Sequence, residues 1–65
     1  MKKQDGQREV YFEFIPVGAQ VRVSAIDPDT GTEVVIIAPS SASQLEMQRI
    51  ASAKLMRKLE RDQGS

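Results

Sequence analysis

At 65 residues the chain has room for one domain with a thin core, because short chains bury a smaller fraction of their surface. It contains neither Cys nor His, which excludes disulfide staples and thiolate metal sites and removes the usual zinc, catalytic-triad and imidazole acid-base arrangements. Nine Lys plus Arg balance nine Asp plus Glu, so no whole-molecule field draws the chain to nucleic acid or an acidic membrane.

Residues 1–8 are polar and glycine-containing, and Lys2 and Lys3 are followed by no apolar h-region, so a disordered tail is expected rather than a signal sequence. No apolar run approaches membrane-spanning length, and the absence of Cys fits a reducing compartment. A cytoplasmic location is the expectation.

From Glu9 the pattern alternates. Val10, Phe12 and Phe14 fall on one side of an expected strand, with Glu9, Tyr11, Glu13 and Ile15 on the other. Pro16-Val17-Gly18-Ala19 then reads as a turn. The run from Val21 to Ala38 reads as a complete β-hairpin: two Val- and Ile-rich stretches flank Pro28-Asp29-Thr30-Gly31. In that turn Pro28 presets φ, Asp27 and Asp29 can bond the backbone locally, and Gly31 is expected at positive φ.

Two four-residue loops fix a register for the three strands. Phe14 is then opposite Val21, Glu13 opposite Arg22 as a cross-strand ion pair, Phe12 opposite Val23 and Val10 opposite Ala25. In the second hairpin Val21 is opposite Ala38, Val23 opposite Ile36 and Ala25 opposite Val34. One face of this meander is wholly apolar. The other carries Tyr11, Ile15, Ile26, Val35 and Ile37, interrupted by Glu13 and Arg22.

Pro39 ends the third strand, and Ser41 with Gln44, or Ser43 with Glu46, has the spacing of a capping box. A helix is expected from there to about Arg61, with no Gly or Pro inside it. Leu45, Ser52, Leu55, Met56 and Leu59 form its expected apolar stripe. Lys54, Arg57, Lys58 and Arg61 gather on the opposite side, and residues 62–65 are expected to fray. Phe12, at the middle of the apolar sheet face, is expected to touch the helix near Ser52 and Met56.

Arrangements that could carry chemistry have simpler explanations. Glu9 and Glu13 lie roughly 13 Å apart along a strand, too far for a retaining glycosidase pair and long for an inverting one. Asp27, Asp29 and Glu33 match no EF-hand spacing and are accounted for by turn chemistry. Ser40, Ser41 and Ser43 have no activating partner and fit helix capping. No catalytic residue, cofactor or metal is therefore expected, and the chain is not read as an enzyme.

Two resemblances can be placed on these residues. The order of three strands and then a basic helix resembles the last two thirds of a double-stranded RNA-binding domain, a likeness in layout that covers residues 19–59. That resemblance implies duplex binding through Lys54, Arg57, Lys58 and Arg61, but Ser43, Gln44 and Leu45 stand where such a domain carries lysines, and its preceding helix is missing. Glu46, Glu60 and Asp62 also balance the basic cluster, whereas phosphate binding needs an uncompensated patch. The run Glu9-Val10-Tyr11-Phe12-Glu13-Phe14, the turn Asp27-Pro28-Asp29-Thr30-Gly31-Thr32-Glu33-Val34 and the segment Ala51-Ser52-Ala53-Lys54-Leu55 together resemble a family of small uncharacterised bacterial single-domain proteins. It brings no activity, cofactor or catalytic residue, only a bacterial, intracellular expectation.

The reading is an α+β fold: a three-stranded antiparallel meander in order 1-2-3, covered on one face by a C-terminal helix, with residues 9–61 as the single domain. The expected function is a non-catalytic interaction or assembly module, a homodimer or an accessory subunit to another protein. Its expected surface is Tyr11, Ile15, Ile26, Val35 and Ile37, or else the edge of the third strand. Weak binding of duplex RNA or DNA is the alternative.

Overall fold

A computed structural model describes residues 9–64 of the chain; residues 1–8, expected as a tail, and Ser65 lie outside the described residues. Three seven-residue strands, β1 (Tyr11–Val17), β2 (Gln20–Ile26) and β3 (Glu33–Pro39), precede one helix, α1 (Gln44–Gly64). The strands form one antiparallel sheet in the order β1-β2-β3, giving the expected α+β meander.

The second hairpin has the expected register, with Val21 opposite Ala38, Val23 opposite Ile36 and Ala25 opposite Val34. The first is shifted by two residues. Pro16 does not begin a turn; it is the sixth residue of β1 and stands opposite Val21, and Val17 stands opposite Gln20. Only Gly18 and Ala19 remain to connect the strands. Gly18 has φ +62° and no non-Gly residue among the described residues has positive φ, the sign pattern of a type II′ turn. Phe12 is therefore opposite Ala25 and Phe14 opposite Val23, while Glu13 meets Ser24 and Arg22 meets Ile15. The expected direct pairing of Glu13 with Arg22 gives way to a diagonal relation. Because the shift is by two, no side chain changes face.

The helix lies over β2 and β3 rather than across all three strands. Val21, Val23, Ala25, Val34 and Ala38 from the sheet and Met47, Ala51, Leu55 and Leu59 from the helix form the buried core. Val23 and Leu55 are fully buried; Phe12 and Phe14 pack against the cluster from its side, half-buried, their rings 6.3 Å apart. Phe12 is thus a flanking residue of the core and not its centre. The buried helix stripe runs 47, 51, 55, 59, a spacing of four. Leu45, expected in that stripe, is 60% exposed, whereas Met47 and Ala51 take the places facing the sheet.

Of the two possible caps, Ser43 is the one used: its Oγ accepts the Glu46 amide at 3.0 Å, and its carbonyl accepts the Met47 amide at 3.0 Å. The helix continues to Gly64, past the expected end near Arg61. Twenty-one residues make a helix of about 31 Å. Seven-residue strands span about 23 Å, so the helix is longer than the sheet it covers.

Candidate interaction surfaces

The β2–β3 loop is the most hydrogen-bonded irregular segment. Gly31 donates its amide to the Asp27 carbonyl at 2.8 Å, and the Asp27 amide donates to the Thr32 carbonyl at 2.8 Å. Gly31 has φ +77°, as the turn chemistry requires. The Asp27 carboxylate accepts the Thr30 hydroxyl at 2.8 Å and, weakly, the Asp29 amide at 3.4 Å. Asp27 is fully buried, since the strand alternation that buries Val21, Val23 and Ala25 carries on to position 27. Asp29 and Glu33 remain exposed. Among the described residues no group of acidic side chains is arranged to hold a metal ion.

The sheet face away from the helix is built from odd positions of β1 and β3 and even positions of β2. Its rows read Tyr11-Ile26-Glu33, Glu13-Ser24-Val35, Ile15-Arg22-Ile37 and Val17-Gln20-Pro39. All five expected interface residues share this face. Tyr11 is 53% exposed, Ile15 38%, Val17 60% and Ile37 57%, while Ile26 and Val35 are half-buried. Val17, expected in a turn, joins this face because strand pairing continues past Pro16.

The hydrogen-bond phase of the ladders decides which backbone groups are free at the two edges. The Asp27 amide bonds Thr32 and the Ala19 carbonyl accepts Ser40, so odd-numbered β2 residues face β3. Even-numbered β2 residues then face β1, and the groups aimed outward from β1 belong to Phe12, Phe14 and Pro16. Proline has no amide hydrogen to offer there, which is why it is accommodated in this strand at no cost to the ladder. From β3 the outward groups belong to Glu33, Val35 and Ile37. One of these is taken: Lys54 reaches from the helix and donates Nζ to the Val35 carbonyl at 2.9 Å.

This contact also orients the basic cluster. Lys54, Arg57, Lys58 and Arg61 share one side of the helix, but that side adjoins the buried stripe on its β3 flank rather than opposing it. Lys58 is half-buried, and Lys54, Arg57 and Arg61 are exposed. The opposite flank, carrying Leu45, Ser52 and Met56, faces the β1 side. There Phe14, Pro16, Val21, Ala42, Gln44 and Met47 line an apolar cleft of about 270 Å³.

No helix among the described residues is long and apolar enough to cross a membrane. The fold and its surfaces define a small β-β-β-α module with a sheet that is covered on one face only. The family described as a domain of unknown function (DUF6898) matches residues 7–62, and the chain belongs to that family. Searches of the curated proteins and of the solved structures return no match.

Proposed function

We propose that the protein is a non-catalytic, cytoplasmic interaction module that associates with a second copy of itself through the uncovered sheet face. The observation that carries this reading is the grouping of Tyr11, Ile15, Val17 and Ile37 as exposed apolar side chains on one face, with Ile26 and Val35 between them. Exposed apolar side chains grouped on one face mark interfaces more often than singly scattered ones do. A thin core also gains stability when a partner covers such a patch. The face is suited to a two-fold contact because it carries both signs of charge, Arg22 and Glu13, at diagonal positions within the apolar rows.

The basic helix side is the less favoured surface, because Lys54 directs its ammonium to the Val35 carbonyl instead of outward. Sedimentation equilibrium tests the reading. The parent protein is expected to self-associate at micromolar concentration, and joint replacement of Val35 and Ile37 by Thr is expected to abolish association through this face. A parent that stays monomeric at several hundred micromolar overturns it.

A further inference from the structure

We infer that β1 is a second self-association surface, at which two copies pair antiparallel, edge to edge, with Phe12 on the two-fold axis. Four features converge on this edge. The β3 edge has its Val35 carbonyl occupied by Lys54, the one side-chain hydrogen bond described from the helix to a strand edge, and it goes to β3 and not to the outward groups of Phe12 and Phe14 on β1. Those two residues are also the large side chains that the helix leaves half-buried. The helix flank that faces the β1 side carries Leu45, exposed, and Met56, half-buried. Unsatisfied strand donors and half-covered apolar side chains therefore lie along the same margin, which is what an added strand requires.

The sequence of β1 selects both the partner and the register. Outward-facing residues of an antiparallel pair exchange both of their backbone bonds. With Phe12 opposite Phe12 of the second copy, Phe14 is opposite Val10, and every outward amide from Val10 to Phe14 meets a carbonyl. Pro16 then falls beyond the paired stretch, where its missing donor is not needed. A register centred on Glu13 places two carboxylates directly opposite each other, which is repulsive. One centred on Phe14 places Pro16 opposite Phe12 and leaves a carbonyl without its donor. In the favoured register Glu13 is opposite Tyr11. The four phenylalanines of the pair gather between the two helices, whose axes lie about 19 Å apart if each sits over the β2–β3 boundary. Helices in contact are about 8–10 Å apart, so they do not collide.

The chain has no cysteine, so introduced thiols report the contact without background. Tyr11 and Glu13 are exposed, and replacing either with Cys does not disturb the core. Across the proposed pair they occupy a non-hydrogen-bonded site with Cα atoms about 4.5 Å apart, within disulfide reach. An equimolar mixture of Tyr11→Cys and Glu13→Cys proteins, oxidised under native conditions, is expected to give the mixed covalent dimer as the predominant product. The same result is expected when both proteins also carry Val35→Thr and Ile37→Thr, because this edge does not depend on the uncovered face. Predominant coupling of Glu13→Cys to itself overturns the register. Absence of mixed product while the parent still sediments as a dimer overturns the edge and leaves association through the sheet face standing; a parent that is monomeric throughout overturns both.

Discussion

The Thr30 hydroxyl donates to the Asp27 carboxylate at 2.8 Å, and Asp27 is fully buried although it lies at the mouth of a surface loop. The Thr30 hydroxyl oxygen in turn accepts the Thr32 hydroxyl, with the two oxygens 2.8 Å apart, and the Thr32 amide at 3.2 Å. Asp27 therefore links two levels of the structure. Its backbone closes the β2–β3 loop, and its side chain seals the end of the helix-covered face.

Asp27→Ala is expected to destabilise the fold by about 2 kcal/mol, since the part-buried Thr30 hydroxyl and Asp29 amide lose their carboxylate acceptor. Thr30→Ala is expected to cost about 1 kcal/mol. The two losses should be less than additive, because the Thr30 hydroxyl and the Asp27 carboxylate are one contact. Urea unfolding of the two single variants and the double variant measures this coupling.

Core substitutions separate the centre of the domain from its margin. Leu55→Ala removes a fully buried side chain facing the sheet and is expected to cost about 3–5 kcal/mol, enough to unfold a domain of this length. Phe12→Ala removes a half-buried ring beside the uncovered edge, so it is expected to cost less and to leave a folded protein. Amide dispersion in a nitrogen-proton correlation spectrum distinguishes the two. An unfolded Phe12→Ala variant beside a folded Leu55→Ala variant would reverse the assignment.

At Gly31 the constraint is conformational and not steric. Its φ is +77°, and nothing lies within 4 Å of the place a Cβ would occupy. Gly31→Val is expected to lose about 1–2 kcal/mol through the left-handed backbone alone. Chemical synthesis permits the sharper comparison. D-alanine at this position, whose preferred φ is positive, is expected to raise the melting temperature above that of the L-alanine variant.

The sheet faces were legible in the sequence because alternation is a local property, and the second hairpin was legible because Pro28 to Gly31 specifies its own turn. The first hairpin was misregistered for an identifiable reason. A proline normally punctuates a strand, but at position 16 its missing amide points off the edge of the sheet, and strand pairing carries on past it. The helix stripe was harder to read. Ala51 contributes little to an apolar pattern yet is fully buried, since a small residue permits close approach to the strands, while the larger Leu45 lies on the flank. The exposed residues on the open face followed from alternation. The contact of Lys54 with Val35 did not, because it joins positions 19 apart and depends on where the helix settles across the sheet.

That lysine bears on stoichiometry. A sheet with two equally receptive margins can add a strand at either side, whereas one with a single favoured margin adds its neighbour at that side. Lys54 takes one outward group of β3, the Val35 carbonyl, and so makes that margin the less receptive of the two. Under the pairing inferred for β1, replacing Lys54 with Met frees the Val35 carbonyl and leaves the two margins of the sheet more nearly alike.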